Sequence, residues 1–103
     1  MSQATICEAI RSRNLIQFFY SEGAAPGDRV VEPHMVAYNK KNVLALSAWY
    51  LSGTSGSQEG PGWREYLLES ISNVVILPET FSAPRPTYNP TGGVVFHDVQ
   101  CAL

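Results

Sequence analysis

Short apolar stretches alternate with turn-forming clusters along this chain, a pattern typical of a small antiparallel β protein. Residues 43–51 are rich in branched and aromatic side chains, and residues 63–69 and 71–77 repeat that character. Residues 53–62 between the first two stretches are rich in Gly and Ser, which predicts a long mobile hairpin loop. We expect a meander of three strands whose last strand ends at Pro78, because proline cannot donate a ladder hydrogen bond.

The first residues follow a different, helical period. Ser2 is a suitable N-cap, and Ile6, Ala9 and Ile10 fall on one face of a helix. Asn14 is a plausible stop. The chain therefore predicts an amphipathic N-terminal helix that packs against the sheet.

Two further strands are expected between this helix and the meander. Residues 15–20 and 29–38 have strand character, and the Gly- and Pro-containing residues 21–28 join them as a loop. Pro33 removes one ladder hydrogen bond, which predicts an edge, a bend or a bulge. Residues 39–42 predict a tight turn into the meander.

Between Pro78 and Pro90 the sequence no longer shows the apolar stretches typical of strands. Phe81 looks like an isolated anchor, and the prolines that follow it favour an extended tail without a helix. From residue 91 onward the apolar residues fit either one more strand or a short helix, docked on the domain or on a partner. The residues in question are Val94, Val95, Phe96 and Val99.

The order of these elements resembles the WYL domain, a family most often seen as the ligand-sensing part of bacterial transcription regulators. The similarity covers residues 6–90 and rests on the ordered set Ala9-Ile10, Phe18-Phe19-Tyr20, Arg29-Val30-Val31-Glu32-Pro33, residues 43–51, Gly62-Trp63-Arg64-Glu65-Tyr66, Ile71 and Glu79-Thr80-Phe81. The letters Trp49-Tyr50-Leu51 are a coincidence, because the family's namesake triplet aligns nearer to residues 43–45. A small single-domain branch is more similar still, since it too has a long loop before Gly-Trp-Arg and a segment like residues 84–90.

This resemblance implies a mainly β fold. We expect an SH3-like or Sm-like small β-barrel of about five antiparallel strands with an N-terminal α-helix and an extended Pro-rich C-terminal tail. Residues 1–90 would form the domain, and residues 91–103 a tail that docks on it or on a partner.

Five residues are candidates for a binding site. The resemblance places Arg29 and Arg64 on one side of the sheet, where guanidinium groups would hold a phosphate or carboxylate; the alternative is two ordinary surface arginines. Tyr20, His34 and Tyr66 could stack on a base or hydrogen-bond a ligand. The alternatives are half-buried tyrosines and a structural histidine.

Two departures from the family pattern affect this prediction. The acidic-basic pair that regulators usually carry before the isoleucine is Glu69-Ser70 here, so the basic member is lost. Ser47 stands where the small branch tends to have an arginine. If a ligand site remains, the resemblance implies a weaker affinity for anions or a different ligand.

Composition narrows the classes of protein further. The 103 residues carry a formal charge of −2, so any anion site must be local. Cys7 and Cys101 have no spacing that indicates a disulfide framework or a metal site, and a reduced cytosolic pair is the simpler expectation. Without a leader or a long apolar run, we expect a cytoplasmic protein that does not enter the membrane.

No motif for nucleophilic, metal or phosphate-loop chemistry occurs, so we expect a non-enzymatic domain without a cofactor. Its expected function is to bind or sense a negatively charged small molecule, nucleotide or single-stranded nucleic acid in a regulatory role. The alternative is a structural or interaction module that has lost its ligand site. Such a module would be a homodimer or an accessory subunit of a bacterial or phage system.

Overall fold

The computed structural model describes residues 2–22, 26–53 and 60–103. Helix α1 spans Ser2–Ser12, and a single 3₁₀ turn spans Leu68–Ser70. The strands are β1 Asn14–Tyr20, β2 Gly27–Tyr38, β3 Leu44–Gly53, β4 Gly62–Leu67, β5 Ile71–Thr80 and β6 His97–Ala102. A mainly β fold with an N-terminal helix is confirmed, with six strands in the described residues rather than about five.

All the strands belong to one antiparallel sheet in the order β4-β3-β2-β1-β5. Strand β2 is long enough for two partners on one edge: β1 pairs with its residues 27–31 and β6 with its residues 35–38. Strand β3 pairs along the other edge. No pairing joins β4 to β5 among the described residues, so the sheet is open there and barrel closure stays a prediction.

The hydrophobic core lies between α1 and one face of the sheet, which we call the inner face. Ile6 and Ile10 of the helix are buried against it, as the helical period predicts. The sheet contributes Ile16, Phe18, Val31, Val36, Leu46 and Ala48, all at most 1% exposed. Strand alternation places these residues on one face, so burial of the inner face drives the fold.

Pro33 lies at a β-bulge, one of the three alternatives that the sequence left open. The register of β2 against β3 shifts between Pro33 and Met35. Val31 and Val36 both lie in the core although they are five residues apart, because the bulge reverses the side-chain alternation. Every residue from 31 to 37 is buried, so both faces of β2 are covered here.

The prediction that the last meander strand ends at Pro78 is wrong, because β5 continues to Thr80. Among the described residues, strand β5 is an edge strand that pairs only with β1, and its register slips between the Asn14 and Ile16 pairs. Pro78 lies inside that irregularity, where no regular ladder bond is needed. The Asn14 side chain donates to the Leu77 carbonyl at 2.8 Å, and this hydrogen bond holds β5 to β1 directly before the proline.

The expectation of a reduced cysteine pair is also wrong. Cys7 and Cys101 form a disulfide across a sequence separation of 94. Helix α1 lies on β2, and β6 pairs with β2, so the fold brings the two Cα atoms to 5.7 Å. Because disulfides persist in oxidising surroundings, one basis for expecting a cytoplasmic protein is removed. No helix in the described ranges is long and apolar enough to cross a membrane.

The C-terminal segment returns over the sheet. Residues 81–96 run through successive turns, with Tyr88, Gly92 and Phe96 each donating backwards to a carbonyl three or four residues earlier. Of the two alternatives left open, the last apolar residues adopt the strand, β6. The predicted mobile loop falls mainly on residues 54–59, outside the described residues.

Candidate functional site

Polar side chains replace the apolar core at one end of the inner face. Phe18 pairs with Arg29, Val31 with Tyr50, Ala48 with Arg64 and Leu46 with Tyr66, and paired residues share a face. These polar partners therefore point the same way as the core. Together with Tyr20, the last inward residue of β1, they form what we call the tyrosine–arginine cluster: Tyr20, Arg29, Tyr50, Arg64 and Tyr66.

The tyrosines of this cluster are packed as tightly as core residues. The Tyr20 and Tyr66 rings meet edge to face with centroids 4.9 Å apart, and Phe18 meets Tyr66 at 5.1 Å. Their exposed fractions are 8% for Tyr20 and 4% for Tyr66. The Tyr20 hydroxyl accepts a hydrogen bond from the Leu67 amide at 2.9 Å, which fixes the ring against β4.

The arginines lie against these tyrosine rings. The Arg29 Cζ is 6.0 Å from the centre of the Tyr20 ring, and the Arg64 Cζ is 5.4 Å from that of Tyr50. The Arg64 side chain also donates to the carbonyl of its neighbour Trp63 at 2.8 Å and to the Gly60 carbonyl at 3.0 Å. Cation–π contacts of this kind orient a guanidinium group and restrict its rotamers.

Burial and the positive charges of Arg29 and Arg64 all influence the pKa of Tyr66. Burial raises the pKa of Tyr66 to about 12, and the nearby Arg29 and Arg64 charges oppose that shift. Burial also raises the pKa of Tyr20, against the hydrogen bond from Leu67. At physiological pH the Tyr20 and Tyr66 phenols are therefore neutral.

Gly53, the last residue of β3, packs tightly against β2 beside the tyrosine–arginine cluster. A Cβ at Gly53 would lie 2.5 Å from the Asp28 carbonyl and 3.3 Å from both the Arg29 Cδ and the Tyr50 hydroxyl. Only glycine allows β2 and β3 to approach closely beside the cluster. Gly53 and Tyr50 were not among the candidate site residues predicted from the sequence.

His34 does not belong to this cluster. It lies on the opposite face of the sheet, which residues 81–96 cover and which we call the outer face. Its side chain is fully buried and stacks on Phe81 with centroids 5.4 Å apart, so the predicted anchor role of Phe81 is confirmed.

Every polar atom of the His34 ring has a partner within the chain. Nε2 accepts from the Arg85 amide at 3.1 Å, so the ring proton is on Nδ1, which donates to the Glu32 carbonyl at 2.9 Å. Burial lowers the pKa of His34, which favours this neutral form. The histidine therefore holds the C-terminal segment to the sheet.

An ion pair between buried Glu32 and partly exposed Arg85 reinforces that attachment. Arg85 donates to both Glu32 carboxylate oxygens, at 2.7 and 2.8 Å, and its Cζ lies 5.1 Å from the centre of the Trp49 ring. Trp49 and Trp63 form a cross-strand pair and meet edge to face with centroids 5.6 Å apart. In the described part of the chain, no cluster of His, Cys, Asp or Glu is arranged to hold a metal ion.

The WYL domain model matches residues 3–76, which include all of α1 after Ser2, β1 to β4 and the whole tyrosine–arginine cluster. The chain belongs to the WYL domain family. WYL domains are generally ligand-sensing or regulatory domains, and they often bind nucleic acids or small ligands. A comparison with curated proteins returned no match.

The two departures from the WYL pattern lie in different places. Ser47 pairs with Met35 and Glu65 and points to the outer face. An arginine at this position would therefore lie outside the tyrosine–arginine cluster, so its replacement by Ser47 does not change the charge of the cluster. Ser70 directly precedes Ile71, which pairs with Tyr20, and its carbonyl accepts from the Ser21 amide. The lost basic residue at Ser70 is therefore the departure close to the cluster.

Proposed function

We propose that this WYL domain senses a negatively charged ligand, a nucleotide or a short single-stranded nucleic acid, through the tyrosine–arginine cluster, without chemical turnover. The observation that carries the proposal is that Arg29 lies against the Tyr20 ring and Arg64 against the Tyr50 ring at the same end of the inner face. Two guanidinium groups held at one end of a rigid sheet form a local positive site on a chain with a net charge of −2.

The residues of the cluster would contribute in two ways. Guanidinium groups match phosphate and carboxylate oxygens with paired donors, and a half-buried setting strengthens each contact relative to water. Tyr20 and Tyr66 are too buried to stack on a base. The rings that lie against the arginines, Tyr20 and Tyr50, would hold the two guanidinium groups in place. Partly exposed Arg64 would meet the ligand first, and Arg29, at 8% exposure, would complete the contact.

The test is a titration of the disulfide-bonded protein with nucleotides and with short labelled single-stranded oligonucleotides, followed by fluorescence anisotropy. Replacing both Arg29 and Arg64 by Ala should abolish binding, and replacing both by Lys should weaken it, because lysine keeps the charge but loses the planar fork. Arg11→Ala, on the exposed side of α1, is the matched control and should leave affinity unchanged.

Salt dependence gives a second, independent readout. Two phosphate contacts predict a slope of log K against log salt of about −1.4 for a single strand. Binding that survives the double Ala substitution, or a slope several times steeper, would refute the assignment to these two arginines.

A second candidate function is an interaction module, and exposed apolar residues near the C-terminus favour it. Val94 is 85% exposed, Val95 43% and Val99 39%. We propose self-association through this surface as the alternative. It predicts a mass that rises with protein concentration, is lowered by Val94→Asp with Val99→Asp, and is unaffected by Arg29→Ala.

A further inference from the structure

A second concave site lies on the outer face, between β2, β3, β4 and the C-terminal segment. It is a cleft of about 270 Å³ lined mainly by aromatic and apolar side chains. The residues that shape its chemistry are Met35, Ser47, Trp63, Tyr88, Asn89 and Phe96. Three of them lie beyond residue 76, so the cleft lies partly outside the stretch that matches the WYL model.

One wall of the cleft is fixed by hydrogen bonds. Trp63 Nε1 donates to the Thr87 hydroxyl at 2.9 Å and lies 3.3 Å from the Pro86 carbonyl, and its ring stacks on Tyr88 with centroids 6.1 Å apart. The Tyr88 hydroxyl lies 3.2 Å from the His34 carbonyl. This wall is therefore positioned before any ligand arrives, which lowers the cost of binding.

The opposite wall depends on a glycine turn. Gly92 has a φ of 85°, and a Cβ there would lie 2.8 Å from the Phe96 carbonyl oxygen. The Phe96 amide donates to the Gly92 carbonyl at 3.1 Å and brings the Phe96 ring over the cleft. Only glycine fits this left-handed turn without strain.

The lining defines the chemistry of a ligand. None of the described residues that line the cleft is charged, so an ionised ligand would lose hydration without gaining a partner. Within the described part of the chain, neither the Ser47 hydroxyl nor the Asn89 Nδ2 has a hydrogen-bond partner, although Asn89 Oδ1 accepts from Thr91. A polar ring edge could pair with these two groups.

We propose that the cleft binds a neutral heteroaromatic molecule of one or two rings. The ring would pack against the aromatic walls and the Met35 thioether, while its polar edge meets Ser47 and Asn89. The cleft is slightly smaller than the range of about 300–1,000 Å³ typical of drug-sized ligands, which favours such a compact molecule. This site is independent of the anion site proposed above, because the two use opposite faces of the sheet.

Indole and adenine are suitable neutral probes, and indole-3-carboxylate is the charged comparison. Titration of ¹⁵N-labelled protein should move the Trp63 indole N–H and Gly92 amide resonances saturably with a neutral probe. Affinity should be at least tenfold lower for indole-3-carboxylate than for indole.

Two variants test the location. Ser47→Leu fills the cleft from a half-exposed position on β3, and Phe96→Ala removes one wall; each should weaken binding at least fivefold in protein that stays folded by circular dichroism. Ser52→Leu, exposed on the same strand but away from the cleft, is the control and should leave affinity unchanged.

Three results would overturn the proposal. The first is the absence of a saturable shift with either neutral probe up to about 5 mM, beyond which an affinity would have little meaning. The second is binding of indole-3-carboxylate as tight as that of indole. The third is an unchanged affinity in both cleft variants. Shifts of the same resonances with protein concentration alone would also overturn it, because they would assign the cleft to a second copy of the chain.

Discussion

Removing the disulfide should be the most damaging conservative change in this protein. Cys7 lies on α1 and Cys101 on β6, so the bond joins the two ends of the described chain across β2. Without it, β6 is held by its short ladder to β2 and by the Leu103 amide, which donates to the His34 carbonyl at 2.9 Å. Cys7→Ala with Cys101→Ala removes the covalent bond and leaves two small apolar side chains, which suits the buried position of Cys7 in the core.

The size of the effect follows from the length of the closed loop. For a sequence separation of 94, the chain-entropy relation gives about 4.6 kcal/mol of stabilisation at 25 °C. A domain of this size has a free energy of unfolding of about 5–15 kcal/mol, so the bond supplies a large share. At about 4–8 °C per kcal/mol, the double variant should melt at least about 18 °C lower than the oxidised protein.

Differential scanning calorimetry of the oxidised protein, the dithiothreitol-reduced protein and the double variant is the assay. The reduced protein and the double variant should melt together, because both lack only the cross-link. Two reactive thiols per chain in denatured, unreduced protein would show that the bond does not form. A double variant that melts within about 2 °C of the oxidised protein would refute the loop-entropy argument.

Three further predictions follow from single residues. The lowered pKa of His34 means that the unfolded chain binds a proton before the folded chain does, so the free energy of unfolding should fall as pH drops from about 6.5 toward the folded-state pKa. His34→Gln should flatten this loss of stability in urea titrations, and an unchanged pH dependence in that variant would contradict the assignment to His34. Gly53→Ala should cost about 1–3 kcal/mol of unfolding free energy, since its Cβ would meet the Asp28 carbonyl, whereas Gly60→Ala, with open space around it, should be neutral. Tyr66 should titrate near pH 12 in an absorbance titration at 295 nm, and Tyr66→Phe should remove that component; a last tyrosine that ionises near its ordinary pKa of 10.0 would contradict the burial argument.

Much of the fold could be predicted because it depends on local patterns. The helical face of α1, the alternation along β1 and β3, and the bulge at Pro33 all follow from neighbouring residues in the sequence. The continuation of strand β5 through Pro78 could not be predicted in this way, because the chain beside Pro78 is held by a hydrogen bond from the Asn14 side chain, which lies on another strand.

The candidate site was predictable only in part. Tyr66 and Arg64 are two positions apart on β4, so alternation places them on one face, but the position of Arg29 at the same end of that face depends on the register between strands. His34 was grouped with these residues, yet it lies on the outer face and is engaged by residue 85, which is 51 positions away. The disulfide was missed for the same reason, since two cysteines at opposite ends carry no local signal.

The central claim is that ligands of this WYL domain bind at the tyrosine–arginine cluster. Its most direct test is chemical-shift mapping of ¹⁵N-labelled protein with a short single-stranded oligonucleotide, including the arginine Nε–H resonances. The account predicts saturable shifts at the Arg29 and Arg64 side chains and at the Gly62 and Tyr66 amides, with the outer-face Trp63 indole unchanged. Shifts confined to Trp63, Tyr88 and Phe96, or none at any concentration, would contradict it.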